Sequence, residues 1–283
     1  MRQWKTKVGV VGGFALHSNT EHERLTNIRY ADDIIKFAKS IDEAQRMIEL
    51  LVEVFAQCGL ELNAKKTKII STSTTNTQQV ALITEYGAVD IVPKSCMHKY
   101  LGRAFSGDFR DRGSVALSNR IGCAWMQYNN LKHVLEDKYV TLQLRFKLFQ
   151  SVITSTVLYS LETCPLTDHL LERLNITQRK MMRKMIGWNF VANNTWESAK
   201  RKMKDRLQHC TDQLRLKEWS EQVNERKRKV VEFPAERNHW MYYSIRWYPP
   251  CCSHLNSYPC VRARGHLHTR WDDGIKVKSR VVG

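Results

Sequence analysis

The chain has 283 residues, which is enough for one large domain or two modest ones, and its hydrophobic content of 42% can supply a packed core. Its formal net charge of +17 argues against a typical metabolic enzyme and predicts a polyanionic partner, nucleic acid first and an anionic membrane second. The sequence lacks a long uncharged apolar run and a secretory leader in residues 1–5, and its 8 Cys form no regular framework. We therefore expect no membrane span, no secretion, and a nuclear or cytoplasmic location.

The first informative feature along the chain is the acidic pair Asp32 and Asp33. It lies between runs rich in β-branched and aromatic residues, at 28–30 and 34–37, which predict two strands joined by a tight turn. Two adjacent carboxylates repel each other by roughly 4 kcal/mol at an intermediate dielectric, and hard divalent ions prefer carboxylate oxygen. The pair therefore predicts a cation site, with a solvated acidic turn as the alternative.

A capping box at Ser40 and Glu43 predicts a helix that ends at Gly59. Apolar residues recur on one face of this helix at Ala44, Met47, Ile48, Leu51, Val52 and Phe55. The next turn carries Lys65, Lys66 and Lys68 and leads into a strand. Further short strands are predicted over residues 80–84, 88–92 and 98–105. A hairpin, a helix and strands returning to the same sheet predict an α+β layer of antiparallel sheet and helix.

From about residue 114 the pattern becomes helical. Helices are predicted over residues 115–135 and 141–160, from Thr167 to about Ile186, from Thr195 onward, and through a basic run at 225–229 that ends before Pro234. We expect three regions, at residues 1–110, 111–190 and 191–283. The last of these is basic and helical at first and irregular beyond residue 236.

Four motifs together resemble non-LTR (LINE-type) reverse transcriptases. Tyr30-Ala31-Asp32-Asp33 resembles their catalytic turn, and Gly59-Leu60 followed by Asn63 and Lys65-Lys66-Thr67-Lys68 resembles the next motif. Lys99-Tyr100-Leu101-Gly102 is similar to the primer-grip strand, and Arg270-Trp271-Asp272-Asp273-Gly274-Ile275 to a frequent tail sequence. The order and spacing of these motifs make the resemblance specific over about residues 25–190.

The resemblance implies an RNA-directed DNA polymerase with a partial palm, a helical thumb-like region, and RNA template, DNA primer and dNTP as partners. Asp32 and Asp33 would hold Mg²⁺ or Mn²⁺, and Lys65, Lys66 and Lys68 would neutralise the triphosphate, with a solvated basic turn as the alternative for the lysines. The primer would contact Tyr30 and the grip residues Lys99, Tyr100, Leu101 and Gly102. For Tyr30 the alternative is a half-buried strand aromatic.

One departure from the family pattern is chemical. The family holds two metals with three carboxylates, one of which lies on an upstream strand. Before Tyr30 the acidic residues of this sequence are Glu21 and Glu23, and both lie in a polar stretch. We therefore expect this chain to be a C-terminal part of the polymerase that cannot polymerise DNA by itself. The alternative is a non-catalytic nucleic-acid-binding remnant of a retroelement.

The helical region would follow a nucleic-acid duplex through basic faces. Between Thr167 and Ile186 this face comprises Arg173, Arg179, Lys180, Arg183 and Lys184. The next helical stretch adds Lys200, Arg201, Lys202, Lys204 and Arg206. The alternative for both sets is a solvated basic face. In the tail, Cys251, Cys252, His254, Cys260, His266 and His268 do not have the spacing of a zinc site, so we expect an aromatic-basic tail without zinc.

Overall fold

The computed structural model describes residues 13–15, 24–71, 81–84, 87–92, 96–108, 111–187 and 195–236. The Cys/His tail and the Arg270–Ile275 motif lie outside these residues. The described chain falls into two compact units. Unit 1 contains the described residues as far as Gly102 together with residues 106–108 and 233–236, and unit 2 contains residues 103–105 and 111–232. The three-region division at 110 and 190 stays a prediction.

The described strands are short. They are β1 Phe14–Ala15, β2 Arg24–Leu25, β3 Asn27–Tyr30, β4 Asp33–Lys36, β5 Lys68–Ile70, β6 Ala81–Thr84, β7 Gly87–Val92, β8 Met97–Tyr100 and β9 Arg103–Ser106. They form four small sheets, with the orders β1-β2, β3-β4, β5-β7-β6 and β8-β9. The α+β mixture of helices and sheets is present, but the predicted single antiparallel sheet is wrong for the described residues. The β3–β4 hairpin has its own sheet, and β5 runs parallel to β7.

Helix α1 spans Ile41–Gln57 and begins and ends as its capping residues predict. The Ser40 hydroxyl accepts a hydrogen bond from the Glu43 backbone N–H at 3.1 Å. The Glu43 carboxylate turns back to accept from the backbone N–H of Lys39 at 2.8 Å and of Gly13 at 2.9 Å. Gly59 follows the helix at a φ of +68°, a backbone conformation that glycine adopts without a steric penalty.

The buried face of α1 forms the core of unit 1. Two neighbouring groups lie on this face, Met47 with Leu51 and Val54, and Ile48 with Val52. The second group packs against Ile69 of β5, which gives the helix-on-sheet contact that the apolar spacing predicts.

The predicted strand over residues 98–105 is wrong, because β8 and β9 fold into a hairpin with Leu101 and Gly102 between them. Both turn residues have positive φ, +47° for Leu101 and +73° for Gly102. Positive φ at both central positions is the geometry of a type I′ turn, whose twist matches that of the flanking strands. The grip-like residues are therefore the end of β8, at Lys99 and Tyr100, and the hairpin turn, at Leu101 and Gly102.

Unit 2 is helical. Its helices are α2 Arg112–Asn130, α3 Lys132–Leu135, α4 Leu142–Leu148, α5 Ser155–Leu158, α6 Asp168–Ile186, α7 Trp196–Gln213 and α8 Trp219–Glu236. A π-helical segment, Phe149–Thr154, joins α4 to α5, so the predicted helix over 141–160 is continuous but wider in its middle turn. The predicted helix over 115–135 is divided at Leu131 into α2 and α3.

One apolar core runs through unit 2, and α7 and α8 contribute to it as well as the earlier helices. Trp219 is fully buried and stacks on Phe149 with ring centroids 5.7 Å apart. Its indole N–H donates to the Thr154 hydroxyl at 2.9 Å. Since Thr154 belongs to the π-helical segment, this single side chain ties α8 to the middle of the helical core.

Polar side chains of α6 fix the start of α8. The Asn175 side chain accepts from the Ser220 N–H at 3.0 Å and donates to the Glu218 carboxylate at 2.8 Å. Gln178 accepts from the Trp219 N–H at 2.9 Å and donates to the Lys217 carbonyl at 3.1 Å. Helix α8 then continues through Pro234 to Glu236, so the predicted end before Pro234 is wrong. Proline has a helix-compatible φ but removes one hydrogen bond and crowds the preceding turn, and α8 ends two residues after it.

Candidate active site

The acidic pair lies on the predicted hairpin turn. Strands β3 and β4 pair with Tyr30 opposite Asp33, which leaves Ala31 and Asp32 as the two turn residues. Ala31 has a φ of +52°, and a positive φ is uncommon for alanine and points to a locally constrained turn. Asp32 and Asp33 are both exposed. The turn therefore presents two adjacent carboxylates to solvent.

Two predicted primer contacts differ in their exposure. Tyr30 is 67% exposed, so the alternative of a half-buried strand aromatic does not hold. The Tyr100 hydroxyl, at the end of β8, is buried and has no hydrogen-bond partner among the described residues. Burial, and after it the negative charge of Asp33, raises the pKa of Tyr100 above its usual range. Tyr100 thus lies within electrostatic reach of the acidic turn and keeps its phenolic proton at neutral pH.

The remaining grip-like residues are accessible. Lys99, Leu101 and Gly102 are all exposed on the β8–β9 hairpin. Tyr100, at the end of β8, has an electrostatic interaction with Asp33 of the acidic pair.

The three lysines of the following turn are not equivalent. Asn63 organises the turn, since its side-chain oxygen accepts from the Lys66 N–H at 3.1 Å and its carbonyl from the Thr67 N–H at 3.0 Å. Lys65 and Lys66 are exposed. Lys68 instead forms an ion pair with Asp90, which stands opposite it on the parallel strand β7. No ion pair within the described residues joins any of the three to the acidic turn.

Lys36 is a residue of this region that sequence reasoning missed. It is the last residue of β4, and its ammonium donates to the Met47 carbonyl of α1 at 2.8 Å. Burial lowers its pKa from 10.5 to about 7. Its place at the end of an apolar strand, against the buried face of a helix, is the signal that could have indicated this burial.

The acidic turn supplies the type of ligand that a divalent cation prefers, but only two such side chains. Carboxylate oxygens are the ligands that Mg²⁺ and Mn²⁺ prefer. Within the described residues, no group of three or more His, Cys, Asp or Glu side chains is placed to hold a metal. Two carboxylates from one turn are fewer donors than a site for two ions needs, so such a site would require further ligands.

Some basic residues of unit 2 have a structural role in the fold, and others are exposed on its surface. Arg145 is buried and donates to the carbonyls of Leu135 and Met185, at 3.3 and 2.5 Å, where α3 and α6 end. Arg206 donates to the carbonyls of Ile186 and Gly187 at 3.4 and 3.2 Å. These guanidinium groups satisfy helix C-terminal carbonyls, which have no partner within their own helix.

On α6 several of the predicted phosphate contacts have internal partners. Arg173 donates to the Ser118 hydroxyl at 3.1 Å, and Lys184 lies 5.5 Å from the centre of the Trp125 ring. Arg179 forms ion pairs with Glu172 and Glu218. The exposed cations of α7, including Lys200, Arg201 and Lys204, are the more accessible set.

None of the helices in the described part of the chain is long and apolar enough to cross a membrane.

Comparison with known proteins gives two matches. Residues 6–105 match the family model described as reverse transcriptase (RNA-dependent DNA polymerase), a range that includes every residue predicted above to act in catalysis or primer binding. The chain is also 28% identical over 168 residues to a transposon-derived protein of Caenorhabditis elegans, covering 58% of this chain. It spans 57% of that relative's length. No solved structure matches the chain.

Proposed function

We propose that this chain is part of the reverse transcriptase of a non-LTR (LINE-type) retrotransposon, an RNA-directed DNA polymerase. The observation that carries the proposal is the exposed pair Asp32 and Asp33 on a two-residue hairpin turn, inside the range that matches the reverse transcriptase family. The transposon-derived relative supports the retroelement origin. The order of the four motifs supports the non-LTR branch.

In this proposal Asp32 and Asp33 hold the Mg²⁺ or Mn²⁺ ion of the polymerase site. When bound, such an ion neutralises charge on the reacting phosphates and favours ionisation of the attacking hydroxyl. The chain itself fixes the two carboxylates side by side through the register of β3 and β4. The protonated hydroxyl of Tyr100 adds a hydrogen-bond donor near Asp33.

Lys65 and Lys66 are the lysines proposed to contact the incoming dNTP triphosphate, because they are exposed and Lys68 is paired with Asp90. An RNA template and a DNA primer would contact Tyr30 and the exposed residues of the β8–β9 hairpin. The cations of α7 would contact phosphates without reading sequence, as lysine and arginine side chains commonly do. We place this activity in the nucleus or cytoplasm.

We further propose that the polypeptide alone does not polymerise DNA. Two-metal nucleotidyl transfer needs a shared set of carboxylates, and the acidic turn supplies two of them. A third carboxylate would have to come from outside the described residues. The same proposal therefore predicts binding of nucleic acid without extension of the primer.

A primer-extension assay tests this proposal. Purified chain is incubated with RNA template, DNA primer, dNTPs and either Mg²⁺ or Mn²⁺, beside Asp32→Asn and, as a matched control, Asp42→Asn on the exposed first turn of α1. We expect primer binding by all three proteins and extension by none. Extension that Asp32→Asn abolishes and Asp42→Asn preserves would show that the chain is a complete polymerase.

The second candidate function is a non-catalytic nucleic-acid-binding remnant of a retroelement, favoured by the exposed cations of α7. Supplying a further carboxylate in trans distinguishes the two candidate functions. A polypeptide that carries the upstream palm strand of a related element should restore extension if the turn remains a working half-site. If the chain is a remnant, binding persists and extension is never restored.

A further inference from the structure

A cavity of about 320 Å³ lies in unit 2 between α6, α7 and the segment that leads to α8. Its apolar lining comes from Met182, Leu207 and Leu216, the first two of which are buried in the helical core. Its volume is at the lower end of the range of small-ligand pockets, which begins at about 300 Å³. The cavity is therefore large enough for one small ligand with an apolar part.

Basic side chains line the same cavity, and they fall into two classes. Arg179 is held by Glu172 and Glu218, and Lys217 by Glu225 at 2.5 Å. Arg183 on α6 and Lys204 on α7 also line it. Within the described residues, neither of these two side chains has an ion pair or a hydrogen bond.

Two uncompensated cations from two helices that line one cavity are a favourable arrangement for an anion. Their mutual repulsion falls when a phosphate binds both, and hydrogen bonds between a cation and a phosphate are about twice as strong as neutral ones. The apolar lining would not contribute to binding of a bare inorganic phosphate. Together the two surfaces favour a ligand with a phosphate at one end and an apolar body at the other.

We propose that this cavity binds one nucleotide unit, with its phosphate between Arg183 and Lys204 and its base against Met182, Leu207 and Leu216. The choice of a nucleotide among amphipathic anions rests on the proposed reverse transcriptase function. The cavity lies in unit 2, whereas the acidic turn lies in unit 1, so the two sites can be tested separately. The nucleotide is either free or part of a nucleic-acid strand.

The test for a bound base uses the methionine on the cavity wall. The full chain is labelled with ¹³C at its methionine methyl groups, and Met182→Leu assigns the Met182 signal. AMP should shift this signal and inorganic phosphate should shift it little, because only AMP carries a base. Equal shifts with AMP and phosphate, or no shift with either, would overturn the proposal.

Charge-reversal variants test the phosphate contact. Arg183→Glu with Lys204→Glu should weaken AMP binding about tenfold or more, since two charged hydrogen bonds are lost. Arg183→Lys with native Lys204 should retain most of the affinity. Lys138→Glu with Lys147→Glu is the matched control, because it changes the net charge equally at exposed positions of unit 2 away from the cavity lining. A similar loss in the control would show diffuse electrostatic attraction and overturn the site.

Competition identifies the source of the nucleotide. A short single-stranded oligonucleotide that displaces AMP and shifts the Met182 signal shows that a strand supplies it, and AMP binding without such competition shows a free nucleotide. Asp32→Asn with Asp33→Asn should leave both measurements unchanged. If the cavity does not bind a nucleotide, the methionine signal shows it. If the proposed polymerase function is wrong, the extension and metal assays show it.

Discussion

The two units use charge in different ways. In unit 1 the acidic pair and Lys65 and Lys66 are exposed on turns, over a core that depends mainly on one face of α1. Unit 2 has a continuous apolar core. Some of its cations, such as Arg145, donate hydrogen bonds to the carbonyls at helix ends. The net charge of +17 is thus partly structural, and only the cations without internal partners are available to a polyanion. The exposure of each cation and its internal partners, rather than the overall composition, therefore distinguish structural cations from those available to a polyanion.

The largest expected effect is the loss of the indole that joins α8 to the core of unit 2. Trp219→Ala removes a fully buried ring, its stacking on Phe149 and its hydrogen bond to Thr154. It should lower the free energy of unfolding by about 3–5 kcal/mol. Urea denaturation measures this change. Tyr139→Ala, at a side chain that is 98% exposed, is the control and should change stability by less than about 0.5 kcal/mol.

In unit 1 the partly buried lysine Lys36 should make stability depend on pH. The pKa of Lys36 is about 7 in the folded protein and 10.5 is its ordinary value, so between these values the unfolded state binds the proton and the folded state does not. The free energy of unfolding should therefore rise as pH increases through this window, and the burial penalty is fully present below about pH 7.

Lys36→Met should raise stability below pH 7 by about 2–4 kcal/mol and remove this dependence between pH 7 and 10. Thermal or urea unfolding at several pH values measures the effect. Lys39→Met, at an exposed lysine just before α1, is the control and should keep the native pH profile. An unchanged profile in Lys36→Met would show that Lys36 remains solvated.

A smaller effect compares two glycines of the same helix in unit 2. A Cβ at Gly113 would lie 2.0 Å from the Pro165 carbonyl oxygen, whereas a Cβ at Gly122 would have no atom within 4 Å. Gly113→Ala should therefore destabilise the protein by about 1–3 kcal/mol through overpacking. Gly122→Ala should stabilise it by about 0.5–1 kcal/mol through helix propensity. Equal effects at the two positions would contradict the close packing of α2 on Pro165.

Local signals in the sequence predicted much of the fold. The Ser40 and Glu43 box with Gly59 predicted α1, and Thr167 with Gly187 predicted the limits of α6, because capping chemistry is contained within a few residues. The acidic turn was predictable for the same reason. The hairpin at Leu101 and Gly102 was missed, although Gly102 between two short apolar-polar runs is a turn signal.

The remaining features depend on contacts between distant parts of the chain. The pairing of Lys68 with Asp90 follows from the register of two parallel strands separated by 22 positions, which no local pattern specifies. The burial of Lys36 against Met47 depends on how α1 lies over the hairpin. The cavity beside Arg183 and Lys204 requires the packing of α6 and α7, so only the positions of the cations could be predicted.

Binding of Mn²⁺ at the acidic turn tests the central claim most directly. Electron paramagnetic resonance measures free Mn²⁺ in the presence of the native chain, of Asp32→Asn with Asp33→Asn, and of Asp42→Asn as a control. We predict one weak saturable site in the native chain, with a Kd on the order of a millimolar, which is typical of a site with few carboxylates. The site should persist in the control and disappear in the double variant. Mn²⁺ binding that is the same in all three proteins would contradict the account.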